Sequence, residues 1–164
     1  RTHYQSCCGK SICGGCKFAA AWAEDEMTNF SGVPSFLCPF CREPVAKTHA
    51  INIERVKRRL KANPDDGASC YFLGYQYYTG GMGLQQDHQR AFELWTRGAE
   101  LGYADAHYNL GCMYANGEGT NIDKKKWIYH LEQGAMAGQE MARYSLGIHE
   151  MNEGYVERGL KHLA

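Results

Sequence analysis

Ser69-Cys70-Tyr71-Phe72-Leu73-Gly74 returns as Ala106-His107-Tyr108-Asn109-Leu110-Gly111 and again as Ala142-Arg143-Tyr144-Ser145-Leu146-Gly147. A second anchor, Gly98-Ala99-x-x-Gly102, returns as Gly134-Ala135-x-x-Gly138. Between the anchors lie Gly81-x-Gly83 with Asp87, then Gly117-x-Gly119 with Asp123. Repetition on this scale means stacked supersecondary units, each of which needs its neighbours to bury its apolar face. The spacing predicts helix over 69–78 and 88–100 in the first unit, and over 106–115 and 124–136 in the second. Asp87 and Asp123 are placed to cap the second helix of each pair. Gly74, Gly111 and Gly147 fall inside the first helices, where Gly costs about 1 kcal/mol against Ala, so a close helix approach is expected there. Trp127 stands where the first unit has Ala91, which predicts different packing. The third unit lacks the Gly-x-Gly and Asp and reads as a shortened hairpin through Arg158-Gly159-Leu160. Cys70, Cys112, Trp95, Leu131 and the repeated tyrosines are expected core residues.

Working outward, residues 47–66 form a linker and helix. Ile53, Val56 and Leu60 recur at helical spacing, and the helix ends near Asn63-Pro64. Asp65-Asp66 then offer a cap to the first repeat, and the helix is expected to cap the open end of the stack. The run Lys57-Arg58-Arg59-x-Lys61 reads as a solvated helix face, with a nuclear address as the alternative.

Six of the eight cysteines lie within the first 41 residues: Cys7, Cys8, Cys13, Cys16, Cys38 and Cys41. Cys-x-x-Cys turns at 13–16 and 38–41 present paired thiolates to one ion, so zinc is favoured over disulfides. Lys17 to Met27 reads as a short helix and Thr28 to Leu37 as a loop. Metal would then supply much of the folding free energy of so small a segment.

The chain has 18 basic and 18 acidic residues and no net charge, which argues against nucleic acid and an anionic membrane surface as partners. No apolar run is long enough to span a bilayer. The cysteine usage points to an intracellular setting, cytoplasmic or nuclear. Arg1 and Ala164 read as the ends of an internal fragment, with further repeats expected beyond it. The short glycine runs follow helices rather than strands, so they make no phosphate site, and no catalytic residue is assigned.

Two family resemblances follow from these motifs. Residues 67–164 resemble Sel-one-like repeats, relatives of the tetratricopeptide repeat, with two complete units and a truncated third. The resemblance implies a mainly α, right-handed solenoid that binds proteins or peptides on its concave side. His107, Asn109, Met113 and Arg143 are the candidates to line that groove. Residues 1–46 resemble the second half of a RING finger. The resemblance pairs Cys13 and Cys16 in one zinc site, and Cys38 and Cys41 with Cys8 in the other. Lys10 stands where that family has His, so Cys7, or alternatively His3, completes the second site. Ile12, Pro39, Phe40 and Arg42 would then contact a ubiquitin-conjugating enzyme or ubiquitin. A zinc ribbon closed by Cys13, Cys16, Cys38 and Cys41 alone is the other reading. At the level of function, a ubiquitin-ligase component whose repeats recruit substrate stands against a non-enzymatic scaffold with a structural zinc finger.

Overall fold

The computed structural model describes residues 2–4, 11–13 and 48–163. The chain divides into two compact units, Arg1–Ser69 and Cys70–Ala164. In the first, strands β1 (Thr2–Tyr4) and β2 (Ser11–Cys13) pair antiparallel, with His3 opposite Ile12. Cys13 and Ile12 therefore belong to β2. The remaining proposed zinc ligands, the helix expected over 17–27, the loop over 28–37 and Pro39, Phe40 and Arg42 lie outside the described residues.

Helix α1 (His49–Ala62) opens on Thr48, whose hydroxyl accepts from the Ile51 N–H at 3.3 Å. It closes at Asn63, just before Pro64, which cannot continue the hydrogen-bond ladder. Ile53 and Val56 are buried, while Lys57, Arg58 and Lys61 are exposed. Arg59 departs from that solvated face, because its guanidinium pairs with Asp66. Asp66 also accepts from the backbone N–H of Ser69 at 3.2 Å and from its hydroxyl at 2.6 Å. This is the capping geometry expected of an acidic residue just ahead of a helix. Burial alone would raise the Asp66 carboxyl, but the hydrogen bonds from Ser69 and the Arg59 guanidinium hold it below its ordinary value of 3.8. A depressed carboxylate contributes stability at neutral pH that is lost only as pH falls below that ordinary value. Asp66→Ala should cost about 0.5–2 kcal/mol for the lost cap, with the half-buried Arg59 adding to it, read in urea melts at pH 7. The difference from wild type should vanish in strong acid.

The second unit is a run of helix pairs. Helix α2 (Gly67–Thr79) enters it and pairs with α3 (His88–Glu100); a short 3-10 turn, Gly81–Gly83, lies in the loop. Helices α4 (Ala104–Asn116) and α5 (Lys124–Met136) form the second pair. Helices α6 (Glu140–Asn152) and α7 (Val156–Leu163) form the third. The bounds agree with the repeat pattern to within two residues at the first helices and fully at α3 and α5. Asp87 caps α3 through the Arg90 N–H at 3.0 Å. Asp123 caps α5 through Lys125 and Lys126 at 3.0 and 3.1 Å. Each loop is also tied back to the preceding helix: the Asp87 N–H donates to the Tyr77 carbonyl at 2.8 Å, and Asp123 to Tyr114 at 2.9 Å.

A different turn joins one pair to the next. The Tyr103 N–H donates to the Gly98 carbonyl and Gln139 to Gly134, each at 2.9 Å, with Gly102 and Gly138 at φ of +78° and +85° between them. This is the left-handed glycine stop that satisfies the last carbonyls of a helix. The third pair uses the same turn internally, with Tyr155 donating to Glu150 at 2.8 Å across Gly154 at φ +89°. The shortened third hairpin is thus a repeat whose long inner loop has been replaced by the short turn used elsewhere between repeats.

The packing explains the repeated glycines. A Cβ on Gly74 would lie 2.7 Å from the indole of Trp95, and one on Gly147 would lie 3.0 Å from the Gly159 carbonyl of the facing helix. At Gly111 the same atom would meet Leu131 at 3.4 Å, an ordinary contact. The difference follows from the indole shift. The first pair carries Ala91 and Trp95; the second carries Trp127 and Leu131, moving the indole back by one turn. Trp95, Ala99, Ala106, Leu110 and Met113 form one core cluster, and Leu131, Ala142 and Leu146 the next. Each cluster joins the second helix of one pair to the first helix of the following pair.

The tyrosine expectation needs one correction. Tyr71 packs on the first cluster and Tyr108 on the second, each touching residues of the following repeat. Tyr144, in the same register, is 53% exposed. Among the described residues no following helix pair covers it. Cys70 is buried as expected, whereas Cys112 is only half-buried.

Candidate functional site

Between α2 and α4 the first helices leave an apolar pocket of about 140 Å³, lined by Tyr75, Tyr78, Trp95, Asn109, Cys112 and Met113. Its geometry comes from the repeat. Tyr75, Cys112 and Ile148 each follow an anchor glycine, and Tyr75 and Ile148 are 46% and 37% exposed. The glycine faces the partner helix, so the next residue, about a quarter turn on, points outward. Tyr78 forms one wall, stacked on His88 at 5.1 Å and tilted against Trp95 at 5.3 Å. Its hydroxyl donates to Glu118 in the next repeat at 2.8 Å. That hydrogen bond, with burial, pushes the phenol up to about 12. Burial also pushes the Cys112 thiol up, so it is a protonated surface of the pocket rather than a nucleophile at neutral pH. The pocket offers apolar contact and one amide, Asn109, which bonds the Tyr71 hydroxyl and keeps hydrogen-bonding capacity for a peptide.

The four groove candidates do not share one surface. Asn109 lines the pocket. Met113 is fully buried and belongs to the core, forming only the pocket floor. His107 reaches the other way, toward α5, because residues two apart on a helix cannot face together. Arg143 is exposed on α6. Sequence reasoning missed Tyr75, Tyr78, Cys112 and Glu118. The variable residue after each invariant-looking Leu-Gly was the signal that could have found the first and third of them.

A second hollow, about 240 Å³, lies over α5, α6 and α7 and includes Lys124, His149, Glu150, Glu153 and Arg158. Four of its charged side chains pair with one another. Lys124 pairs with Glu153 at 2.8 Å, and Arg158 pairs with the buried Glu150 at 2.6 Å. The Arg158–Glu150 pair closes the third hairpin, and the Lys124–Glu153 pair ties α5 to its turn.

Across α4 and α5 the Nδ1 atoms of His107 and His130 lie 3.1 Å apart. Burial lowers the proton affinity of both rings. For His130 the neighbouring His107 and Lys126 add to it, bringing the value down to about 4. Neutral rings are therefore favoured when folded. A histidine whose folded pKa lies below its unfolded value of 6.5 leaves stability whole above that value. Stability is then lost as pH falls from there toward about 4. The melting temperature of the repeats should drop between pH 7.5 and 5, and His130→Gln should flatten that drop, whereas the Asp66 contribution persists to lower pH.

Three comparisons bear on this architecture. Residues 67–103 and 104–139 each match the family model described as Sel1 repeat. The uncharacterized protein NMB1327 of Neisseria meningitidis serogroup B is 36% identical over 86 residues, 52% of this chain and 17% of that protein. Among solved structures, a Sel1 repeat protein from Oxalobacter formigenes aligns with a TM-score of 0.62 and 26% identity over 72% of this chain and 49% of that one. The Escherichia coli antigen c5321, described as displaying an SLR fold, aligns with a TM-score of 0.59 and 30% identity, covering 67% and 24%. The chain thus spans less than a fifth of the Neisseria protein and about half of the Oxalobacter chain. The repeat solenoid expected from sequence is therefore present. No helix among the described residues is long and apolar enough to cross a membrane.

Proposed function

We propose that this chain, whose residues 67–139 form two Sel1 repeats, is a non-enzymatic scaffold or adaptor that holds a partner protein on the outward side of its first helices. The observation that carries this reading is the apolar pocket between α2 and α4, walled by Tyr75 and Tyr78 and edged by Asn109. Aromatic side chains around a small pocket are the usual anchors of a protein interface, and one amide beside them can fix a peptide's direction. The occupant is an extended or helical peptide that inserts one apolar side chain. The test selects peptides from a displayed random library against the whole chain. The selected sequences should share an apolar anchor, and Tyr75→Ala or Asn109→Ala should weaken them about tenfold, the size of a single anchor contact. Selected peptides that bind both variants at wild-type strength would refute the site.

For residues 1–46 the proposal rests on the resemblance to a RING finger, which implies that Cys7, Cys8, Cys38 and Cys41 hold one zinc, with Cys13 and Cys16 contributing to a second. In the scaffold reading this zinc is structural. The run Cys38-Pro39-Phe40-Cys41-Arg42 favours a second reading, in which the finger docks a ubiquitin-conjugating enzyme and the repeats recruit substrate. Native mass spectrometry should then show Cys7→Ser with Cys8→Ser abolishing tight zinc, while Cys13→Ser with Cys16→Ser spares it; the reverse result means a ribbon. Discharge of ubiquitin from a loaded conjugating enzyme, slowed by Arg42→Ala, would favour the ligase reading. No acceleration would leave the scaffold.

A further inference from the structure

We propose that His107 and His130 form a binding site for a first-row transition-metal ion of the zinc, nickel or copper class, bridging α4 and α5 within the second repeat. The two Nδ1 atoms are 3.1 Å apart and their ring planes meet at 39°. With metal–nitrogen bonds of about 2.0–2.1 Å, that separation gives a bite angle of about 100°. The angle falls between an octahedral edge and a tetrahedral one, so a modest rotation of the rings about their terminal torsions brings both lone pairs onto one ion. No backbone movement is required, because the ligands stand on two helices already packed together.

The surroundings fit a ligand pair better than a pair of surface imidazoles. The backbone carbonyl of Ala99 accepts a hydrogen bond from the His107 ring. A backbone acceptor of this kind orients a metal-binding imidazole and raises its basicity. His130 is held from both sides, stacked on Tyr114 at 5.5 Å and 9°, and met edge-on by Tyr129 at 5.1 Å. Both rings are half-buried, so water or a partner's side chain can complete the coordination shell. Lys126, whose charge acts on His130, lies over the Tyr114 ring at 5.1 Å and opposes a cation. Imidazole nitrogen suits zinc, copper and nickel, whereas magnesium and calcium want oxygen. Two protein ligands make an exchangeable site with open positions, unlike the four-cysteine site proposed within residues 1–46.

The test uses the whole chain, first saturated with zinc and freed of excess so that its thiolates are occupied. Nickel chloride is then titrated at pH 7.5, with calorimetry and thermal melting as readouts. Wild type should bind about one more nickel equivalent than His107→Gln or His130→Gln, and only wild type should gain melting temperature from nickel. Lys126→Ala should tighten binding a few-fold. Because a variant could fold poorly, zinc is also added to the wild type while the imidazole nitrogens are followed by NMR. Movement of both Nδ1 resonances supports the site. Unmoved Nδ1 resonances, or equal nickel uptake by wild type and both variants, would overturn it and leave a histidine pair joined by one shared hydrogen.

Discussion

Trp95→Ala should lower the stability of the repeat unit by about 3–5 kcal/mol, the range for removing a fully enclosed large side chain. Trp95 is only 2% exposed. It fills the space left by Gly74, touches Tyr78, and donates its indole N–H to the Tyr71 carbonyl at 3.1 Å. Its removal leaves a cavity at the junction of the first two repeats and takes the added indole hydrogen bond from the Tyr71 carbonyl. For a unit of this size each kcal/mol is worth roughly 4–8 °C, so the melting temperature should fall by well over 10 °C. Trp127→Ala should cost clearly less, because Trp127 is only half-buried and has His149 at its edge, at 4.9 Å. Equal losses at the two tryptophans would contradict the shift of the indole by one turn.

Gly74→Ala and Gly111→Ala should act with opposite signs. At Gly74 the new methyl would lie 2.7 Å from a flat, enclosed indole that has nowhere to go. Overpacking of that kind costs about 1–3 kcal/mol, more than the helix propensity gained. At Gly111 the methyl would meet the end of Leu131 at 3.4 Å, a normal contact. Here the propensity gain of up to about 1 kcal/mol is free to appear. Urea melts of the two variants side by side decide the point. Destabilisation by both would mean that Leu131 is held more rigidly than its position implies.

The repeat pattern made most of the fold legible because each unit states its rule more than once. A single Gly inside a helix is ambiguous, but Gly74, Gly111 and Gly147 at one register signal a shared helix contact. Asp87 and Asp123 likewise announce the same helix start twice. What repetition could not show is what differs between copies. The exposure of Tyr144 depends on the absence of a covering pair among the described residues, while Tyr71 and Tyr108 carry the same local sequence signal. The groove was harder to read. His107, Asn109 and Met113 share one helix, yet one reaches α5, one lines the pocket and one enters the core. Pattern matching named residues along one helix, but only the direction of each side chain separates them. The His107–His130 pair was invisible for a related reason: the two residues come from helices whose relative rotation is set by Trp127 and Leu131 rather than by any motif. The salt links of Glu150 with Arg158 and of Asp66 with Arg59 were equally unmarked in sequence.

The central claim is that the pocket of Tyr75, Tyr78, Asn109 and Cys112 is where this chain holds its partner. The most direct measurement is an amide NMR map of the whole chain with and without a library-selected peptide. The account predicts that the largest shifts cluster on α2 and α4 around Tyr75, Tyr78, Asn109 and Cys112, with Tyr75→Ala abolishing them. Shifts centred instead on the hollow of Lys124, Glu150 and Arg158, with the α2–α4 pocket unmoved, would contradict it.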